Sequence, residues 1–127
     1  MTNRTVDLAV DADAALVPVM RNVAADLAIR LDLQLDTIAD LRLAVDEACG
    51  LLLSRAATPT TLRTRFVVGD GTITARVEVV SREGTGLPDE GFHWHVLTAL
   101  VRSARCFHTR GPADEPLTVI ELTVCDH

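Results

Sequence analysis

The sequence predicts a two-layer α/β sandwich, with helices packed on one face of a mixed, mostly antiparallel sheet. Three observations carry that reading. Two segments of helical period follow one another after a single alternating run. Two further alternating runs flank Gly69-Asp70-Gly71, which reads as a hairpin turn. The alternating runs keep their apolar side chains on one face, so only that face needs helical cover.

RTVDLAV (4–10) places Val6, Leu8 and Val10 on one side and reads as the first strand. Asp11 or Asp13 is then placed to cap a helix running to about Leu31, with Pro18 in its first turn. Its apolar stripe is Leu16, Met20, Val23, Leu27 and Leu31. LDLQLD (31–36) breaks the pattern. Asp36 or Thr37 opens a second helix to about Ala57, whose stripe is Ile38, Leu41, Val45, Ala48, Cys49 and Leu52, and Thr58-Pro59 closes it. In the hairpin that follows, Leu62, Phe66, Val68, Ile73, Ala75, Val77 and Val79 share one face. Arg63, Arg65, Thr74, Arg76 and Glu78 share the wet one. REGTGLPDEG (82–91) reads as a loop, GFHWHVLTALVRS as a short helix, ARCFHTR as a strand, GPADEP (111–116) as a turn and LTVIELTV as a final strand.

The 127 residues show no repeat or linker long enough to divide them, so residues 1–127 are read as one domain. An apolar fraction of 48% with 24% charged residues is that of a globular chain. With three Phe, one Trp and no Tyr, the core must be mainly aliphatic. The net charge of −6, with every fixed cation an Arg, argues against direct nucleic-acid binding, which needs clustered basic side chains. No apolar run approaches the roughly 18 residues of a membrane span, and MTNRTVDLAV lacks a signal-peptide pattern. Cys49, Cys106 and Cys125 are odd in number and without framework spacing, which predicts a reduced, cytoplasmic setting.

DLRLAVDEA (40–48) and GFHWHVLTAL (91–100), set in this element order, resemble the GHKL ATP-binding fold. More narrowly they resemble the RsbW/SpoIIAB anti-sigma factors, serine kinases that hold sigma factors of the sigma-B/sigma-F group. The second segment, with Phe107-His108 after it, looks like the actinobacterial members. In the kinases of that family the second helix carries a Glu and, four residues on, an Asn. The spacing puts both on one helix face, the Glu as general base and the Asn oxygen on the phosphate-bound Mg²⁺. The resemblance implies that role for Glu47, whereas Leu51 stands at the Asn position and offers no oxygen ligand. It also implies an Asp-x-Gly-x-Gly loop that reads adenine. Arg82-Glu83-Gly84-Thr85-Gly86 keeps both glycines but has Arg for Asp. Of the later phosphate-cradling glycines Gly91 remains, followed by the bulky Phe92, His93, Trp94 and His95. ATP and Mg²⁺ binding are therefore expected to be weak or lost, no cofactor is expected, and Glu47 would be catalytic only in a working kinase.

On the partner side, the resemblance implies a sigma-factor contact from an Arg on the first helix, 26 residues before the Glu. Arg21 stands there, followed by Asn22, Asp26 and Arg30. It further implies a STAS-class anti-anti-sigma antagonist and a homodimer through the sheets, for which Arg63, Arg65, Arg76 and Glu78 give a self-complementary face.

Plainer readings stand beside these. Glu47 reads equally as a solvated helix carboxylate, Arg21 and Arg82 as surface arginines, 84–91 as a mobile surface loop rather than a lid, and the thiols as inert. His93 and His95 point about 200° apart on a helix, and Cys106 with His108 makes only two ligands on one strand face, so no metal site is expected. Trp94 and its neighbours are expected to pack over the nucleotide space or to contact a partner. The leading expectation is an anti-sigma factor that works by occlusion. The alternatives are a divergent ATP-dependent serine kinase and a ligand-sensing module on the same scaffold.

Overall fold

The chain's structure, a computed structural model, describes residues 3–126. In order it runs β1 (Arg4–Asp11), one 3₁₀ turn (Ala14–Leu16), α1 (Val17–Arg30), α2 (Leu35–Leu53), β2 (Thr61–Gly69), β3 (Thr72–Val80), α3 (Phe92–Leu100), β4 (Ser103–Arg110) and β5 (Pro116–Cys125). The strands form one sheet in the order β1-β2-β3-β5-β4. Every pairing is antiparallel, so the mixed character expected of the sheet is absent among the described strands. The two-layer α/β sandwich is the fold observed.

Register follows from the apolar alternation, because a one-residue slip would turn every core side chain outward. The core-facing row Val6–Phe66–Ala75–Leu122–Ala104 crosses all five strands. The hairpin closes through Asp70 and Gly71, both at positive φ (21° and 75°), as a two-residue turn between twisted strands requires. On the outer face the row Asp7–Arg65–Arg76–Glu121–Arg105 also spans the sheet. Its charges neutralise one another: Asp7 takes Arg65 Nε at 2.8 Å, Arg76 reaches Glu78 and Glu121, and Arg105 reaches Glu121. The Arg65 hydrogen bond holds the Asp7 carboxyl below its ordinary range. A shallow hollow of about 590 Å³, lined by Arg63, Arg65, Arg76 and Glu78 among others, lies on this face.

Three sequence expectations need correction in the helical layer. The buried stripe of α1 is Val17, Met20, Ala24, Ala25 and Ala28, with Val23, Leu27 and Leu31 only partly buried. Small alanines let α1 lie close against α2, so the stripe is rotated from the one its leucines suggest. Asp13 does cap, but it caps the 3₁₀ turn through Ala15 N at 2.9 Å. The end of α1 falls where expected, at Arg30 with Leu31 as C-cap, and does so without glycine. Asp32 takes φ +60°, Leu33 N–H reaches Ala28 O and Asp32 N–H reaches Ile29 O, which is the Schellman pattern.

Thirdly, α2 is opened by neither Asp36 nor Thr37. Its N-cap is Gln34, which has no side-chain cap; instead both Asp126 carboxylate oxygens accept the Gln34 N–H, at 3.0 and 3.1 Å. A carboxylate from the far end of the chain thus meets the positive end of the helix. The helix stops at Leu53 rather than Ala57, because Ala56 leaves to bridge Ser81 beside β3. The core of α2 is Leu41, Ala44, Val45, Ala48, Cys49 and Leu52, close to the expected stripe.

Candidate functional site

The residues singled out by sequence gather along α2. Glu47 sits at mid-helix, its side chain 28% exposed, on the flank that meets α3. Four residues on, Leu51 lies on the same flank with its side chain packed partly into the core. Its backbone oxygen belongs to the last turn of α2, where carbonyls lack helical partners. Two guanidiniums meet those carbonyls. Arg55 Nη1 donates to Leu51 O at 3.0 Å, and Arg82 donates to Ser54 O and Ala56 O, both at 3.1 Å. A cation at the negative end of a helix is favoured by the dipole as well as by hydrogen bonding. Arg82, at the position where the resemblance would place an adenine-reading Asp, therefore ties off a helix end.

The same two arginines fasten the loop. Arg55 Nε donates to Gly86 O at 3.0 Å, and the Arg82 N–H donates to Arg55 O at 3.0 Å. Arg110 Nη1 reaches the Glu83 carboxylate at 3.3 Å, and Pro88 is buried. The loop 82–91 is thus clasped at Arg82 and Glu83, and the part read as a mobile loop or a lid, 84–91, is held at Gly86. Gly84 and Gly91 take φ of +77° and +88°, the left-handed region that glycine enters without a Cβ clash. If the Arg55 clasp holds the loop, Arg55→Ala should raise amide exchange at 84–87 about fivefold, the equivalent of roughly 1 kcal/mol for one hydrogen bond. Unchanged exchange in that segment would remove Arg55 from this role.

Gly91 opens α3 and the next side chains close the α2–α3 seam. His93 Nδ1 lies 2.9 Å from Glu47 Oε2, and Phe92 stands edge-on to the His93 ring at 5.6 Å between centroids. Trp94 packs, partly buried, against the core. Glu47 thus has an intramolecular partner 46 residues away. The other residues first considered for a metal are dispersed: His108 Nδ1 meets Thr118 Oγ1 at 3.2 Å on β5, and Cys106 faces the core on β4. Among the described residues no three His, Cys, Asp or Glu side chains gather as a metal site.

Arg21 occupies the opposite flank of α2. Its Nη1 donates to Asp46 Oδ1 at 3.1 Å, joining α1 to α2, and its Nε is buried with no hydrogen-bond partner among the described residues. Asn22 is exposed beside it, while Asp26 and Arg30 pair with each other one turn apart. Adjacent residues Asp46 and Glu47 therefore hold the helices on either side. Sequence reasoning missed Arg55 and the partners Asp46, His93 and Asp126. Arg55 was legible as a cation just past a helix C-terminus. The other three depend on how the helices dock and on where β5 delivers Asp126, for which no local pattern exists.

These elements define a class, a GHKL-like two-layer sandwich of three helices on one face of a five-stranded antiparallel sheet. No protein-family model matches the chain. It is 31% identical over 121 residues to the anti-sigma-F factor RsbW of Mycobacterium tuberculosis, in strain CDC 1551 / Oshkosh and in strain ATCC 25618 / H37Rv. The match covers 95% of this chain and 72% of each relative. The chain belongs to the RsbW family of anti-sigma factors.

Proposed function

We propose that this protein is an anti-sigma factor that sequesters a sigma factor of the sigma-B/F group by occlusion, without using ATP, and is released by a STAS-class antagonist. The observation that carries the ATP-independent part is the state of α2. Glu47 is engaged by His93, and four residues on stands Leu51, a hydrocarbon partly buried in the core. A Mg²⁺ ion needs oxygen ligands, and Leu51 has none to give. Arg82 is committed to the carbonyls of Ser54 and Ala56 and would meet an adenine amino group with like donors. These residues do not fit Mg-ATP.

Calorimetry at millimolar ATP and GTP is expected to show no binding heat, and the protein with radiolabelled ATP, Mg²⁺ and a STAS antagonist is expected to transfer no label. Label in an antagonist serine, abolished by Glu47→Ala, would establish the divergent kinase instead. The retained Glu47 is the feature that favours that second reading. A ligand-sensing module would show itself as a co-purifying mass in native mass spectrometry.

The sigma-factor contact is assigned to Arg21 and Asn22 on α1. Arg21→Glu should weaken capture of a recombinant sigma factor of the sigma-B/F group. It also sets two carboxylates together at Asp46, so the double variant Arg21→Glu/Asp46→Arg separates the effects. It restores the helix pair, and capture should remain weak. Full capture by the double variant would remove Arg21 from the interface. The outer sheet face, with its four arginines set against Asp7, Asp11, Glu78 and Glu121, supports a homodimer through the sheets. No described helix is long and apolar enough to cross a membrane, and the proposed setting is the cytoplasm.

A further inference from the structure

We infer that the first turn of α3, with Phe92 at its tip, is a docking site for a basic segment of the sigma factor. The inference rests on the anti-sigma reading and adds to it a second contact surface, on the far side of α2 from Arg21. The chain has three Phe and one Trp, and the other three of these rings are covered. Phe66 is fully buried, Trp94 packs on the core, and Phe107 lies beneath the guanidiniums of Arg76 and Arg105, 5.5 and 4.9 Å from its centroid. Phe92 is 75% exposed. Phe, with Tyr and Trp, is enriched at protein–protein interfaces relative to the rest of the surface.

The ring is also held in place. Gly91 turns the chain at φ +88°, His93 is fixed on Glu47 at 2.9 Å, and Phe92 sits edge-on to the His93 ring. A side chain ordered before binding loses less entropy on binding. Leu43, one turn before Glu47 on the same flank of α2, is 54% exposed and extends the apolar surface.

Charge selects the occupant. The outer sheet face is balanced, four arginines against four acidic side chains, whereas on α2 Asp40 and Asp36 stand three and seven residues before Leu43, on its flank, and Asp46 is turned away to Arg21. Asp89 and Glu90 immediately precede the α3 turn and are exposed. Asp36, Asp40, Asp89 and Glu90 thus lie on the two segments that carry Leu43 and Phe92, with Arg42 as the one cation in those segments. A second copy of this chain would bring the same acidic rim against itself, at a repulsive cost. A sigma factor engages the DNA phosphate backbone and must carry Lys and Arg to do so, which is the complementary surface.

The test measures binding of the full chain to a recombinant sigma factor of the sigma-B/F group at low and high salt, for wild type, Phe92→Asp, Leu43→Asp and Phe92→Leu. Phe92→Asp is expected to weaken binding roughly tenfold to thirtyfold and Leu43→Asp somewhat less, with Phe92→Leu recovering most of the loss. Both side chains are exposed, so melting temperatures should stay at the wild-type value. Wild-type binding should also fall as salt rises. Equal affinity of wild type and both Asp variants overturns the inference. So does loss of self-association, or loss of STAS-antagonist capture, with sigma-factor binding intact. Absence of wild-type binding overturns the anti-sigma reading, and this docking site falls with it.

Discussion

Phe66→Ala is expected to destabilise the fold by about 3–5 kcal/mol, the cost of deleting a buried aromatic and leaving a cavity. Phe66 is fully buried on β2, and its cross-strand neighbours on the core face are Val6 and Ala75. Neither can extend into the space the ring leaves, so the site cannot collapse cheaply. With total stabilities of about 5–15 kcal/mol, this is a large share of what holds the chain folded. Urea unfolding should show the midpoint fall at unchanged slope, and the thermal midpoint should drop by roughly 10–20 °C. Phe66→Leu, which keeps most of the volume, should lose much less. A loss under about 1 kcal/mol for the alanine variant would mean that this side chain is not buried as described.

The second large effect is alkaline. Cys49 is fully buried on α2, and burial, followed by the charge of Asp46, pushes its thiol up to about 12 from an ordinary value of 9.0. The folded state holds this proton above the pH at which the unfolded chain releases it. The resulting stability is complete below pH about 9, then declines as pH rises toward about 12. The slope is about 1.4 kcal/mol per pH unit while the unfolded thiol is ionised and the folded one is not. The sequence makes this window unusually clean. It contains no Tyr and no Lys, and arginine titrates above it, so thiols are the side chains that change charge there. Burial also raises the Cys106 thiol, which adds a smaller contribution of the same sign. Denaturant unfolding from pH 8 to 11 should show the decline, and Cys49→Ala should flatten most of it. In native protein a thiol reagent should spare Cys49 until global unfolding. Labelling of Cys49 as fast as the partly exposed Cys106 and Cys125 would contradict its burial.

The two effects mark the part of this protein that was easiest to read. Leu62, Phe66, Val68, Ile73, Ala75, Val77 and Val79 alternate so regularly around Gly69-Asp70-Gly71 that face, register and turn follow from local chemistry. The stripe of α2 was equally legible, since Leu41, Val45, Ala48, Cys49 and Leu52 recur at the helical period. The stripe of α1 was less so. Hydrophobicity points to its leucines, whereas close packing selects Ala24, Ala25 and Ala28, and that choice depends on how near α2 comes. The opening of α2 was illegible, because its stabilising carboxylate is Asp126, 92 residues from Gln34.

The same division runs through the candidate site. The sequence by itself determined the sandwich, the core face of β1, β2 and β3, and the substitution of Leu51 and Arg82 into positions where the resemblance implies Asn and Asp. Those are properties of side-chain type and spacing, which the chain carries whatever its partners. Only the tertiary structure decided what these residues do now. Glu47 meets His93, Arg82 ties off α2, Arg55 clasps Gly86, and Arg21 is held by Asp46. Each of these is a polar contact between elements that no local pattern couples. It forms because packing the aliphatic core first brings α1, α2 and α3 side by side, and polar groups left at the seams then find partners or lose their hydration unrewarded.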